Sequence, residues 1–104
     1  MDTKHLEKIV DETLQHVSST LISKGKEYAT DDDRLHNFVV GAQLQGVTPK
    51  EACMGYLTKH LVSISDMVKE PAEAHTLEQW DEKIGDALVY LTLMRAIVWD
   101  EIYG

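Results

Sequence analysis

The stretch TLEQWDEKIGDALVYLTLMRAIVWDEI, residues 76–102, decides the fold. It opens with a capping box, in which Thr76 is the N-cap and Gln79 follows three residues later. Apolar residues then recur every three or four positions, which is the spacing of one face of a helix. The pattern therefore predicts one long helix with a continuous apolar face, the first stripe. Its members are Trp80, Ile84, Ala87, Leu88, Leu91, Val98 and Ile102.

The same helix carries a second stripe, which points away from the first at about 100° per residue. A helix that is apolar on two sides is buried on two sides. Since a chain of 104 residues offers little further cover, the second stripe predicts a homodimer, or a higher homo-oligomer, formed through the C-terminal helix. Gly85 is expected to admit the backbone of another subunit. The second stripe consists of Glu82, Asp86, Val89, Leu93 and Ile97.

Three further helices are predicted upstream. The clearest start is at Thr48, which forms a second capping box with Glu51 and is followed by Pro49. No stretch alternates as a strand does, so the sequence predicts a single all-α domain over residues 1–104, a four-helix bundle-like fold. The upstream helices are expected from about Asp2 to about Ser23, from within residues 31–33 to near Gly46, and from Pro49 to Pro71.

Composition excludes several classes of function. Eighteen acidic residues against ten Lys plus Arg give a formal charge of -8, which opposes binding to extended nucleic acid or to an anionic membrane. The single cysteine, Cys53, excludes an internal disulfide. The N-terminus lacks the apolar core of a signal peptide, and no apolar run is long enough to span a membrane. We expect a soluble, cytoplasmic protein.

Four carboxylates lie near the connection between the last two helices. Asp66 and Glu70 are one turn apart, as are Glu82 and Asp86, and antiparallel packing would bring both pairs to the same end. Such a group could hold Mg²⁺, which prefers oxygen ligands. Solvated acids, or a salt bridge to Lys59, Arg34 or Lys83, explain the pattern almost as well. His60 lies nearer the apolar face, where a histidine is usually a hydrogen-bonded core residue.

A second group of polar residues occupies the connection KGKEYATDDDRLHNF, residues 24–38. Lys24, Lys26 and Arg34 concentrate positive charge suited to phosphate. Tyr28 offers a ring for stacking on a base, and Asn37 offers both a donor and an acceptor to a base edge. A capped turn with mutually neutralising charges is an equally good interpretation.

Taken in order, these residues resemble a known family. The pattern runs K-x-x-x-Y at 24–28, R-L-x-N-F at 34–38, T-P-x-E-A at 48–52, K-H-x-x-S-x-x-D at 59–66 and E-K-x-x-D-A-x-x-Y-L at 82–91. It is similar to small phage and prophage proteins grouped as nucleotide-modification-associated domains, which are placed near the all-α MazG and dimeric dUTPase-type pyrophosphohydrolases. The resemblance implies a MazG-like helical oligomer that uses Mg²⁺ to split a nucleotide between its α and β phosphates.

The resemblance also implies roles for individual residues. Asp66, Glu82 and Asp86 match the metal-ligand positions. Ser63 and Lys83 stand where the family has acids, and a lysine beside a metal repels it, so a single-metal site or binding without hydrolysis is expected. The residues expected to contact the nucleotide are Lys24, Lys26, Tyr28, Arg34, Asn37, Phe38, Lys59 and Ser63.

The leading hypothesis is a phage-derived oligomer that binds a nucleotide or nucleotide-like phosphate, with Mg²⁺-dependent hydrolysis as a further step. One alternative is a non-catalytic acidic helical protein that binds a host protein through its charge and its apolar helix. Another is a purely structural helical domain.

Overall fold

The computed structural model describes residues 1–24 and 33–104 of the chain. Helix α1 spans Thr3–Ser19 and continues into a π-helical turn, Thr20–Lys24. Helix α2 spans His36–Gln45, α3 spans Pro49–Val68, and α4 spans Leu77–Tyr103, with a 3-10 turn at Ala72–Ala74 between the last two. The described residues contain no strand. The predicted all-α fold of four packed helices is confirmed.

Both predicted capping boxes are present. The Glu51 amide donates to Thr48 Oγ1 (3.2 Å), and the Thr48 amide donates to Glu51 Oε1 (3.1 Å). Thr76 and Gln79 form the same reciprocal pair, at 2.9 and 3.1 Å. These bonds satisfy amides that have no partner within the helix, so the starts of α3 and α4 are fixed by local sequence.

The start of α2 falls later than predicted. Asp33 Oδ1 accepts a hydrogen bond from the Leu35 amide (3.2 Å), and the helix begins at His36. The other two aspartates, Asp31 and Asp32, lie outside the described residues. The helix ends as predicted at Gly46, whose φ of 70° is left-handed and therefore suits glycine.

Helices α3 and α4 run antiparallel, because His60 faces Asp86 while Lys50, nearer the start of α3, pairs with Glu101. The core lies where α2, α3 and α4 meet. Cys53 is completely enclosed there. The cluster consists of Phe38, Cys53 and Ile97, with Leu35, Tyr90, Leu93 and Met94 partly buried against it.

The structure corrects the assignment of the two faces of α4. Val89 and Ile97 are buried, and Leu93 packs against the core cluster, so the second stripe faces α2 and α3 within the chain. The first stripe is covered only in part, because Ala87 is buried whereas Ile84 and Leu91 are exposed. The prediction that the second stripe forms a subunit interface is wrong, because the chain's own helices cover its apolar half.

Gly85 is also explained within the chain. A Cβ at position 85 would lie 2.5 Å from ring atoms of His16, so the glycine makes room for an imidazole of α1. A close approach at Gly85 was expected from another backbone, but the group that lies there is the side chain of His16. Helix α1 itself has no buried residue. No helix among the described residues has the length and apolar character needed to cross a membrane.

Candidate functional site

The antiparallel pair α3 and α4 brings His60 to Asp86. The distance from His60 Nδ1 to Asp86 Oδ2 is 3.8 Å, and their side chains are 22% and 35% exposed. This distance is too long for a hydrogen bond. The residue that opposes Asp86 is thus His60, and not its neighbour Lys59, which is exposed.

A column of aromatic rings holds His60 in place. The His60 ring stacks on Tyr90 with a centroid distance of 5.2 Å, and Tyr90 stacks on Tyr56 at 5.8 Å. The Tyr56 ring meets Phe38 edge-on at 6.0 Å. Such contacts each contribute about 0.5–1.5 kcal/mol beyond area burial. The column therefore fixes the orientation of His60 across the seam between α3 and α4.

His60 Nδ1 is buried and has no hydrogen-bond partner among residues 1–24 and 33–104. An unsatisfied buried polar atom costs about 1–3 kcal/mol. A side chain that is packed at this cost, next to a carboxylate, is more typical of a site than of a plain core position. The His60–Asp86 pair is the best-defined polar feature of the seam.

The remaining predicted acids are placed differently. Asp66 and Glu82 are exposed and form no ion pair with any described residue. Glu70 is bound at the loop, where its Oε2 lies 2.8 Å from His75 Nε2. Glu70 is therefore engaged, whereas Asp66 and Glu82 retain free carboxylate oxygens.

Residues 1–24 and 33–104 contain no group of three or more His, Cys, Asp or Glu side chains placed to hold a metal. Asp66, Glu82 and Asp86 do not form a Mg²⁺ cradle on their own. Mg²⁺ commonly takes only one or two protein carboxylates and completes its octahedron with water and phosphate oxygens. The assignment of these three acids to a metal thus stays a prediction, with fewer protein ligands than a closed site needs.

Two of the residues predicted to contact the nucleotide have hydrogen-bond partners within the chain. Arg34 Nη2 donates to the carbonyl oxygen of Leu21 (2.7 Å), in the π-helical turn that ends α1. Ser63 Oγ donates to the Lys59 carbonyl oxygen (3.2 Å), one turn back along α3. Arg34 therefore binds the π-helical turn after α1 to the start of α2. Lys59, another residue predicted to face phosphate, is exposed on α3.

The predicted base pocket is only partly described. Phe38 is buried in the core cluster and presents no ring face to a ligand. Asn37 is exposed on α2. Lys26 and Tyr28, and the side chain of Lys24, lie outside the described residues. Phe38 therefore stabilises the core and does not line a base pocket.

The aromatic column was not predicted from the sequence, although a signal for it exists. Tyr56 and His60 are four residues apart, as are Asp86 and Tyr90, so each pair lies on one helical face. Antiparallel packing of those two faces is sufficient to form the stack.

No family model, curated protein or solved structure matches the chain. The resemblance carried by the motifs stays a prediction.

Proposed function

We propose that the chain is the subunit of a homo-oligomeric, MazG-like protein that binds a nucleotide or nucleotide-like phosphate together with Mg²⁺. The observation that supports this best is that Asp66 and Glu82 are exposed and form no ion pair with a described residue, on the same two helices as the half-buried Asp86. Carboxylates that are open to solvent suit a metal whose other ligands come from a phosphate and from water.

The roles in this proposal follow from the placement of each group. Asp66, Glu82 and Asp86 would hold the metal, and Lys59 would meet phosphate from solvent. Bound Mg²⁺ would neutralise phosphate charge and lower the pKa of a water. His60 faces Asp86 across the seam between α3 and α4.

Lys83 limits the chemistry that the site supports. It stands between Glu82 and Asp86 in sequence and is partly buried on α4. A second or third metal would meet its positive charge. We therefore place nucleotide binding first and pyrophosphate release second, as separate claims with separate measurements.

Thermal melting tests the binding claim. Mg²⁺ with a nucleoside di- or triphosphate at 100 times its Kd should stabilise the protein by about 2.7 kcal/mol, or roughly 10 °C for a domain of this size. Asp86→Asn should remove the shift. Glu78→Gln, which makes the same change of charge in the first turn of α4, is the matched control and should keep it.

The outcomes separate the claims. A shift without release of pyrophosphate leaves a binding protein and removes the hydrolase. The absence of any shift at millimolar nucleotide and Mg²⁺ would refute nucleotide binding.

A non-catalytic interaction protein, phage-derived and directed at a host protein, is the second candidate. It is favoured by one observation: Asp86 and Arg34, two residues assigned to the site, already face groups of the same chain. In that case Mg²⁺ and nucleotides leave the melting temperature unchanged, and Asp86→Asn lowers stability equally with and without them.

A further inference from the structure

An open groove lies along the C-terminal half of α4, where this helix passes the start of α2. Its volume is about 440 Å³. Asp86 precedes Arg95 on the same helix by about 14 Å, at 1.5 Å per residue, so the groove is separate from the predicted metal ligands. The residues that line it are Leu35, Arg95, Ala96, Trp99 and Asp100.

The groove has an aromatic wall, formed by Trp99. This side chain is 54% exposed, and its ring centroid lies 5.5 Å from that of Tyr103, one turn later on α4. The contact with Tyr103 limits the motion of the indole, while about half of the Trp99 surface stays open to solvent. Tryptophan and tyrosine are enriched where proteins bind partners, because their rings combine a large apolar area with a polar atom. The wall thus offers an indole on which a flat ring can stack.

Ala96 gives the groove its depth. Its methyl group is too short to fill the space between Trp99, three residues later on α4, and Leu35 at the start of α2. Leu35 packs against the core cluster, so the side of the groove that faces the indole is held in place. The bottom of the groove is therefore apolar and suits the body of a ligand, while polar groups at the rim orient it.

The rim carries one cation that is open to a ligand. Arg95 is exposed, lies one turn before the indole, and forms no ion pair with a residue of 1–24 or 33–104. Its guanidinium has paired N–H donors that match a carboxylate. The carboxylate of Asp100 lies against Gly104 at the end of α4, and Glu101 is neutralised by Lys50 at 2.9 Å. A carboxylate bound at Arg95 thus meets little opposing charge from these two acids.

The charges of the groove also limit the charge of the ligand. Arg95 and Asp100 are the charged residues among those that line it, so its formal charge is zero. One negative charge on a ligand is matched by Arg95, but each further one meets Asp100 and the charge of -8 on the whole chain. The groove therefore disfavours nucleoside polyphosphates.

We propose that this groove binds an aromatic monocarboxylate. The ring lies over Ala96 and stacks on Trp99, and the carboxylate accepts hydrogen bonds from Arg95. The inference goes beyond the proposed function, because it requires neither a nucleotide nor Mg²⁺ and concerns a different part of α4.

Nitrogen-15 NMR of the full chain, in EDTA, tests the proposal with benzoate as the probe. The protein has two tryptophans and so gives two indole N–H signals, and Trp99→Phe identifies the signal of Trp99 by its loss. Benzoate should shift the Trp99 signal in a saturable way. The signal of Trp80, near the start of α4, should stay in place and serves as the internal control.

Two matched compounds separate the parts of the ligand. Benzamide keeps the ring and lacks the negative charge, whereas cyclohexanecarboxylate keeps the charge and lacks the aromatic ring. Each should bind at least about fivefold more weakly than benzoate, because benzamide loses the charge-assisted hydrogen bonds to Arg95 and cyclohexanecarboxylate loses the stacking on Trp99.

Three variants, all of which keep Trp99, test the residues of the groove. Arg95→Gln should weaken benzoate binding about fivefold and leave benzamide binding unchanged. Lys4→Gln, which removes the same charge from an exposed position of α1, is the matched control and should bind benzoate like the wild type. Ala96→Leu should fill the groove and abolish the shift of the Trp99 signal, while the indole and the guanidinium remain.

Several results would overturn the proposal. They are an unmoved Trp99 signal, equal shifts of both indole signals, or an Ala96→Leu protein that binds benzoate like the wild type. A Trp99 signal that changes with protein concentration and not with benzoate would also overturn it, because another chain would then cover the groove. Since Mg²⁺ and nucleotide are absent from these samples, failure here leaves the proposed function standing, and a melting temperature that ignores Mg²⁺ and nucleotide leaves the groove standing.

Discussion

Substituting Gly85 by alanine measures how α1 is held against the rest of the protein. The new Cβ would lie 2.5 Å from Cδ2 and Nε2 of His16, whereas ordinary contacts begin near 3.4 Å. The imidazole must therefore retreat by about 1 Å or rotate away. It is exposed, so it can move, but it then gives up its contact with α4.

Gly85→Ala has two effects on the free energy of unfolding, and they are opposite in sign. Replacing a glycine inside a helix by alanine stabilises by about 1 kcal/mol. Displacing His16 costs a similar amount in lost packing, because contacting residues are coupled by about 0.5–3 kcal/mol. Gly85→Ala alone should thus leave the free energy of unfolding nearly unchanged. In the His16→Ala background the full gain of about 1 kcal/mol should appear.

Urea denaturation of the four proteins of this cycle, at one protein concentration, gives the coupling directly. Gly55→Ala provides the control, because nothing lies within 4 Å of a Cβ at that position in α3. It should stabilise both backgrounds equally, by about 1 kcal/mol.

A gain of about 1 kcal/mol from Gly85→Ala in the presence of His16 would refute the contact. In that case α1 would not rest on α4 through this imidazole. A destabilisation that persists in the His16→Ala background would refute it as well, because the obstacle would then be another group.

Three further predictions concern the core and the caps. Burial raises the pKa of the Cys53 thiol, so a thiol reagent should label the folded protein at least about 100-fold more slowly than the urea-unfolded protein; rapid labelling of the native state would contradict the enclosed position. The backbone amide and then the hydroxyl of Thr48 lower the pKa of Glu51 below its usual 4.5, so this carboxylate stabilises the fold above that pH and the contribution is lost as the pH falls through the lowered value. In the wild-type protein the urea midpoint should fall as the pH drops below 4.5, and Glu51→Gln should make this fall smaller. An unchanged fall would show that other groups control the loss of stability at low pH. Leu93→Glu, on the second stripe, should destabilise the fold by at least about 3 kcal/mol, whereas unchanged stability would show that α2 and α3 do not cover the second stripe.

The helix starts were predictable because their signals are local. Thr48 with Glu51, and Thr76 with Gln79, satisfy amides within a single turn and need no tertiary partner. The left-handed stop at Gly46 is equally local. The start of α2 was placed too early because three consecutive aspartates offer several caps of similar quality, and the sequence does not rank them.

The orientation of α4 was not predictable in the same way. Its two stripes are both apolar, so hydrophobic periodicity identifies two faces and does not say which one α2 and α3 cover. Phe38 and Cys53 pack on Leu93 and Ile97, and that choice depends on the rotation of α4 about its axis. A rotation is a property of the assembled helices, not of any short segment.

Helix rotation also explains which side chain of α3 faces Asp86 in the candidate site. Lys59 and His60 are adjacent in sequence but about 100° apart around α3, so one rotation of the helix determines which of them faces Asp86. The tyrosines of the aromatic column decide it, since Tyr56 lies one turn before His60 and stacks on Tyr90. The polar pairing thus follows from aromatic packing, which charge patterns alone do not reveal.

Electrostatics then determines the form in which a nucleotide would bind. The chain carries a formal charge of -8, and Arg34 is bonded to the Leu21 carbonyl oxygen, so a free polyphosphate approaching Asp66 and Glu82 meets repulsion. Mg²⁺ bound to the nucleotide reduces the negative charge of the ligand and so weakens this repulsion. We therefore expect nucleotide alone, and Mg²⁺ alone, to leave the melting temperature unchanged, while both together raise it and EDTA abolishes the rise. A shift of the same size with nucleotide in EDTA would show that cations of the chain hold the phosphate, and the three carboxylates would then have no metal to bind.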